Sequence, residues 1–212
     1  MDRLFNPENP FWSFMTKIMD VFLISILWFL FSIPIITIGA STTALFQFTL
    51  KLAADEEGYV WRTFIRAFCK NFVQATAVWL LALAAGVFLA FDLYLSRRLM
   101  LPAVVQNGLF FAIISIIIVF LLTMLYIFPL LSFFHVRVKQ LIAHAFIMAV
   151  GNLHVSIIIV AIYAAGAAAM LYMPMAFPII AGLSCFFASY FYRIVFKKYM
   201  EDLKKEEKSQ II

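Results

Sequence analysis

The side chains that most often carry catalysis or bind metals are few in this sequence and lie far apart. Successive separations of nine and ten residues do not place His135, His144 and His154 in a helix-borne HExxH arrangement, and no carboxylate completes a metal set. Hydrogen bonding at a membrane interface is their expected role, with a proton relay as the less favoured alternative. Cys69 and Cys185 show no metal-binding or redox spacing and are expected to pack as small apolar residues.

Catalytic motifs are also missing from the sequence. There is no Walker A loop, no GxSxG elbow and no pair of intramembrane aspartates of the kind that activates water in membrane hydrolases. We therefore predict no catalytic residues, no cofactor site and no metal site, and we do not expect an enzyme. The chemistry of this chain must be sought in the surfaces that its helices present.

Composition places those helices in a membrane. Hydrophobic residues make up 66% of the 212 positions, charged residues make up 13%, and the mean hydropathy is +1.02. A chain with so little polar surface cannot cover a soluble globule. The net charge of +5 does not indicate a nucleic-acid partner, because the basic residues fall in short segments between apolar stretches and act as topology signals.

Five apolar stretches are long enough to cross a bilayer, which requires about 20 residues each. They are 20–50, 71–91, 104–131, 153–173 and 175–196. The fold class is therefore all-α, a polytopic membrane helix bundle with about five transmembrane helices. Residues 1–196 are expected to form one transmembrane domain, and residues 197–212 a charged cytoplasmic tail. The first span is expected to be retained, since its apolar run is longer than that of a signal peptide.

The distribution of Lys and Arg predicts the orientation of a five-span protein. Twelve basic residues follow the first, third and fifth spans: Lys51, Arg62, Arg66, Lys70, Arg137, Lys139, Arg193, Lys197, Lys198, Lys204, Lys205 and Lys208. Four lie on the opposite side: Arg3, Lys17, Arg97 and Arg98. The positive-inside rule then predicts a multi-pass cell-membrane protein with the N-terminus outside and the C-terminus in the cytoplasm.

A proline interrupts the first apolar stretch. Pro34 removes a backbone donor, so the helix should kink or stop there. Small and hydroxyl residues follow at spacings that allow close helix packing: Thr37, Gly39, Ala40, Thr43 and Ala44. We expect a kinked packing helix. One alternative is a pair of half-helix ends that bind an ion or substrate. A second alternative, ranked below the kink, is a re-entrant hairpin that would place the N-terminus inside.

A basic amphipathic segment follows that stretch. Arg62, Arg66 and Lys70 recur every four residues, and Trp61 and Phe64 lie on the adjoining face. This pattern predicts a cytoplasmic amphipathic helix. Such a helix either lies in the headgroup layer or provides a docking surface for another cytoplasmic protein, and the pattern does not separate the two.

The stretch "ILWFLFSIPIITIGASTTALF" at 26–46, followed by "RTFIRAFCKNF" at 62–72, resembles the YesL-like family of bacterial multi-pass membrane proteins. The specific matches are Trp28, Pro34, Thr37, Gly39, Ala40 and Ala44, and the hydropathy is similar across nearly the whole chain. Ser25 departs from the asparagine expected three residues before the tryptophan. The family has no assigned biochemical activity. Its members are often encoded beside carbohydrate ABC importers and polysaccharide-degrading enzymes, which implies an accessory role in the uptake of complex sugars.

Two functional hypotheses from different classes follow. In the first, the protein is a non-catalytic accessory of a carbohydrate ABC importer, in contact with permease or ATPase subunits as well as the lipid bilayer. In the second, it is a substrate-binding transport subunit or small carrier, with a ligand pocket at the Pro34 break. The spans supply many aromatic rings but few amides or acids to hold sugar hydroxyls, which favours the first hypothesis. The oligomeric state is left open.

Overall fold

The computed structural model describes residues 10–56, 58–98, 102–134 and 137–210, and within these residues the chain is built from helices. The seven α-helices are α1 (Pro10–Ser32), α2 (Ile38–Leu52), α3 (Val60–Ser96), α4 (Ala103–Phe133), α5 (Val138–Gly151), α6 (Leu153–Tyr172) and α7 (Phe177–Gln210). Short 3₁₀ turns at Ile35–Thr37 and Pro174–Ala176 precede α2 and α7. The predicted polytopic helix bundle is confirmed.

The described residues contain six helical segments long and apolar enough to cross a membrane, one more than the sequence predicted. The additional one comes from the first apolar stretch, which forms two helices and not one kinked span. Lys17, near the start of α1, ion-pairs with Asp55, just beyond the end of α2. Trp28 Nε1 donates to Thr42 Oγ1 at 3.1 Å, so the two helices lie side by side in opposite directions. The expected kink is therefore wrong, and the hairpin alternative describes the chain path.

Local chemistry at residues 32–37 accommodates the reversal. Pro34 has an extended backbone (φ −74°, ψ 116°) and no N–H to continue the helical hydrogen bonds. Thr37 closes the turn, because its Oγ1 donates to the carbonyls of Phe31 (2.6 Å) and Pro34 (2.7 Å). Ser32 and Ser41 share a hydrogen bond of 2.7 Å across the base of the hairpin.

Helix α2 lies at the centre of the bundle, against α1, α3, α4 and α7. Most of its residues are buried, including Ala40, Ala44 and Leu45 at 0–1% exposure. Such small side chains let neighbouring backbones approach closely, which is how membrane helices gain packing energy without a hydrophobic driving force. The helix runs antiparallel to α3 and parallel to α7, where Ser189 Oγ donates to Thr49 Oγ1 at 2.8 Å.

Helix α3 is one continuous element of 37 residues. The predicted amphipathic segment forms the first turns of α3 and is not a separate helix. Neither a proline nor a glycine breaks the helix where this segment ends at Lys70 and the apolar stretch begins at Asn71. Trp79 Nε1 donates to the Ile35 carbonyl at 2.9 Å, so α3 passes the α1–α2 turn at this level. Residues 80–96 then run on for about 25 Å. The apolar side chains of this portion are largely exposed, as expected for a surface that lipid covers.

The remaining helices close the bundle. Helix α5 has 14 residues, shorter than a candidate span, and ends at Gly151; the side-chain amide of the next residue, Asn152, donates to the carbonyl of Met148 at 3.3 Å. Helices α6 and α7 form an antiparallel hairpin, with Tyr163 OH donating to Cys185 Sγ at 3.8 Å. Helix α7 continues without a break through residue 197 to Gln210, so the predicted charged tail is the extension of a spanning helix.

The hairpin also changes the predicted topology. Lys17 and Asp55 meet at one end of the bundle, and Arg193 of α7 donates to the carbonyl of Ala53 at the same end. The start of α1 and the outgoing half of α7 therefore lie at the same end, which we name the basic end. The expectation that the two termini lie on opposite sides of the membrane is not supported, because an even number of spans returns the chain to the side where it began.

Candidate functional site

The break at Pro34 lies on the surface of the bundle. Ile33, Ile35 and Ile36 are 57–66% exposed, so the turn presents apolar side chains outward. Its carbonyl groups accept hydrogen bonds from Thr37 and from the Trp79 indole. A half-helix end that binds an ion needs carbonyl groups that point into a cavity. Here the carbonyls of Phe31, Pro34 and Ile35 accept from protein donors, which favours a structural role for the turn.

Gly39, one of the small residues after the break, lies in the contact between α2 and α3. A Cβ atom on Gly39 would lie 2.5 Å from the Ala75 carbonyl oxygen and 2.6 Å from the Trp79 Cβ. Thr43 is buried, and its hydroxyl donates to the Gly39 carbonyl at 2.8 Å, so it adds no unsatisfied polar group to the contact. Ala40 and Ala44 have no exposed surface. The predicted packing residues of α2 are therefore buried in the bundle, and Gly39 makes the direct contact with α3.

The basic residues of α3 share an exposed face, which we name the α3 basic stripe: Arg62, Arg66 and Lys70. Trp61 lies beside the stripe and is 58% exposed. None of the three cations forms an ion pair with another described residue. Phe64, on the opposite face of the same turns, is fully buried and packs against Phe31 of α1 with 5.4 Å between ring centroids.

The buried face holds this part of α3 in a fixed orientation. Phe31 also contacts Phe68, at 5.1 Å between ring centroids. Asn71 is buried, and its side-chain nitrogen donates to the Ala67 carbonyl at 3.1 Å and to Gln47 Oε1 at 3.4 Å. The stripe is therefore presented on a helix anchored to α1 and α2.

A charged cluster at the basic end was not predicted. Lys17 and Asp55 are separated by 38 positions in the sequence, so no local pattern indicates their pairing. Hydrogen bonding from Lys17 holds the pKa of the Asp55 carboxyl below its ordinary value, and the charges of Lys17 and Arg193 act in the same direction. Asp55 has a positive φ of 59°, a conformation that aspartate tolerates better than most residues. The cluster joins the first, second and last spanning helices.

Two of the cavities between the described helices are large enough for a small molecule. One, of about 800 Å³, lies at the basic end between α2, α4 and α7, and we name it the α2–α7 cleft. The other, of about 710 Å³, lies between α2, α4, α6 and α7, where Phe46, Phe128 and Tyr163 form part of a mostly apolar wall. The α2–α7 cleft has cationic residues at its edge, so its chemistry differs from that of the apolar cavity.

The histidines and cysteines do not converge. His144 Nδ1 and Tyr199 OH share a hydrogen bond of 2.7 Å between α5 and α7, and His154 is exposed. His135 lies outside the described residues. Cys185 is buried and Cys69 is exposed on a different helix. Among the described residues, no group of three His, Cys, Asp or Glu side chains is placed to hold a metal ion.

These features define a polytopic, all-helical membrane protein in which most buried hydroxyl groups bond to carbonyls of their own helix and a few join one helix to another. The similarity of the chain to known proteins adds to this description. Residues 21–93 match the family described as "Protein of unknown function, DUF624". The chain is 26% identical over 152 residues to the "Uncharacterized protein YesL" of Bacillus subtilis (strain 168), and the match covers 70% of each chain. No solved structure matches the chain significantly.

The resemblance to the YesL-like family, whose function is unknown, is thereby confirmed. The matched residues run from Val21 in α1 through α2 to Leu93 in α3. They include the Pro34 turn, the α2–α3 contact at Gly39 and the α3 basic stripe. The segment that carries the family resemblance is thus the part of the bundle in which α2 is packed between its two sequence neighbours.

Proposed function

We propose that this chain is a non-catalytic integral membrane protein that acts by contact with other proteins, as an accessory component of a carbohydrate ABC importer. The observation that carries the proposal is the α3 basic stripe. Three cations lie on one exposed face of a helix whose opposite face is fixed in the core, and the exposed Trp61 precedes the first of them. The identity of the partner rests on the family resemblance and on the gene neighbours that the resemblance implies.

A fixed cationic surface suits a protein partner better than a lipid surface alone. An amphipathic helix that binds lipid turns its apolar face to the membrane. Here Phe64 and Ala67 are buried in the protein and cannot enter lipid. The cations next to them remain available to an acidic surface, and such complementarity orients a partner and speeds its association. Permease and ATPase subunits are the proposed partners.

The orientation that accompanies this proposal places both termini in the cytoplasm. Arg97 and Arg98 lie in the turn between α3 and α4, whereas the other described Lys and Arg residues lie in or next to segments at the basic end. This bias favours a cytoplasmic location for the basic end under the positive-inside rule. The α3 basic stripe then faces the compartment in which an ATPase subunit works.

The alternative function is a substrate-binding transport subunit or small carrier. The Pro34 break, where the sequence suggested a ligand pocket, gives it less support. A pocket at Pro34 would need polar groups directed into a cavity. Instead the turn exposes isoleucines and uses its carbonyls within the protein. The alternative is kept as an outcome of the experiment below.

The test is cross-linking and affinity purification of the tagged protein from its native host, with mass spectrometry of near-stoichiometric partners. The variant Arg62→Gln/Arg66→Gln/Lys70→Gln removes the stripe and leaves the buried face unchanged. Each exposed ion pair contributes about 0.2–1 kcal/mol, so partner recovery should fall between about threefold and about a hundredfold. The matched control, Arg97→Gln/Arg98→Gln, removes charge at the opposite end and should recover the partner as the unmodified protein does.

Two results would count against the proposal. Recovery of the protein without permease or ATPase subunits, under cross-linking that captures other membrane complexes, would favour the free-standing carrier. Equal recovery of those subunits by the stripe variant and the control would show that the α3 basic stripe is not the contact surface.

A further inference from the structure

The α2–α7 cleft has cationic residues that do not belong to the α3 basic stripe. Three cationic residues line it: Lys51 at the end of α2, and Arg193 and Lys197 one turn apart on α7. The only acidic residue among its lining residues in the described chain is Glu56. Positive charge therefore prevails in the cleft, which favours an anionic ligand.

Arg193 is positioned for this role by the protein itself. One of its guanidinium nitrogens donates to the carbonyl of Ala53, which ties α7 to the end of α2. An arginine side chain carries five N–H donors in a planar fork, so several remain for a ligand after this bond forms. Gln47 and Tyr190 add polar side chains to the same wall.

The lip of the cleft is apolar. Phe133 of α4 and Ile194 of α7 line it and are 49% and 60% exposed. Both belong to helices long and apolar enough to span the membrane. A ligand that paired with the cations and also packed against these apolar side chains would have a negatively charged head and a hydrocarbon tail.

We propose that the α2–α7 cleft binds the phosphate headgroup of an anionic phospholipid, with an acyl chain against Phe133 and Ile194. The cleft volume of about 800 Å³ falls in the range of small-molecule sites. Basic pockets between spanning helices bind lipid headgroups by the same combination of charge and shape. A soluble phosphate ester offers the same phosphate chemistry, but it has no tail to occupy the apolar lip.

The test is native mass spectrometry of the purified protein in an uncharged detergent, with dioleoylphosphatidylglycerol or dioleoylphosphatidylcholine added at equal concentration. The unmodified protein should retain the anionic lipid in preference to the zwitterionic one. In Lys51→Gln/Lys197→Gln, affinity for phosphatidylglycerol should fall by at least about tenfold, because each cation contributes about fivefold near an anionic surface. This variant keeps Arg193 and its bond to Ala53, so the junction of α2 and α7 is preserved.

Arg97→Gln/Arg98→Gln is the matched control and should keep the preference. Equal retention of the two lipids by the unmodified protein would overturn the proposal, as would equal loss in the control and in the cleft variant. In a further arm, sn-glycerol 3-phosphate competes with phosphatidylglycerol. Displacement at equimolar concentration would assign the cleft to a soluble phosphate ester and overturn the lipid assignment, whereas resistance to a large excess supports it. None of these outcomes depends on whether a protein partner is found.

Discussion

Gly39→Ala tests the close packing of α2 against α3, and the structure indicates that this small change should destabilise the bundle. The added Cβ would lie 2.5 Å from the Ala75 carbonyl oxygen and 2.6 Å from the Trp79 Cβ. Both are fixed parts of α3 and not the far end of a flexible side chain. The two helices must therefore move apart by several tenths of an ångström.

The size of the effect follows from two destabilising terms and one stabilising term. Overpacking of one methyl group costs about 1–3 kcal/mol. Separation of the helices also weakens the hydrogen bond from the Trp79 indole to Ile35, worth about 0.5–1.5 kcal/mol. Against this, replacing glycine by alanine inside a helix gains up to about 1 kcal/mol. We expect a net loss of about 1–3 kcal/mol for Gly39→Ala.

Gly108→Ala is the matched control, because no atom outside its local helix lies within 4 Å of the position of an added Cβ. Both variants share the propensity gain, so the difference between them isolates the contact. Thermal unfolding in a mild detergent should give Gly39→Ala a Tm several degrees below that of Gly108→Ala, at about 2–4 °C per kcal/mol for a chain of this size. A Gly39→Ala protein as stable as the control would refute the close contact of α2 with α3.

Two further predictions concern the basic end. The first uses single cysteines in a variant without native cysteines, labelled in whole cells with an impermeant thiol reagent. Cysteines at Lys17 and Lys204 should both resist the reagent, and one at Arg97 should react. Labelling at Lys17 but not at Lys204 would contradict the hairpin topology. Asp55→Asn should lower the Tm near pH 6, and its difference from the unmodified protein should become smaller near pH 3. A carboxyl whose pKa is lowered by folding stabilises the folded protein at pH values above its pKa in the unfolded chain. That stabilisation is lost as the pH falls through its pKa in the folded protein. An equal Tm difference at both pH values would contradict this assignment.

Much of the bundle could be predicted from local signals. Apolar runs of about 20 residues identify membrane spans in any arrangement of the helices. Such a run must be helical in lipid, because the helix satisfies the backbone hydrogen bonds within the segment itself. The interruption at Pro34 was evident because proline lacks the N–H that a helix needs. The exposed positions of Arg62, Arg66 and Lys70 followed from the helical period alone, which places residues four apart on one face.

The basic end could not be predicted in this way. Lys17, Asp55 and Arg193 are distant in the sequence, and each by itself resembles an ordinary charged residue at the end of a span. The α2–α7 cleft likewise combines residues of three helices, so its positive charge is a property of the assembled bundle. Only the packing of α2 between its neighbours brings these groups together.

The sequence by itself determined that the chain is a helical membrane protein, where its apolar segments lie, and that the first of them is interrupted at Pro34. The tertiary structure decided that the interruption reverses the chain and does not merely bend it. The physical reason is that a missing backbone donor permits either outcome. The choice depends on what α2 can pack against, and the close fit of Gly39 on α3 and the bond between Thr49 and Ser189 of α7 hold α2 antiparallel to α1.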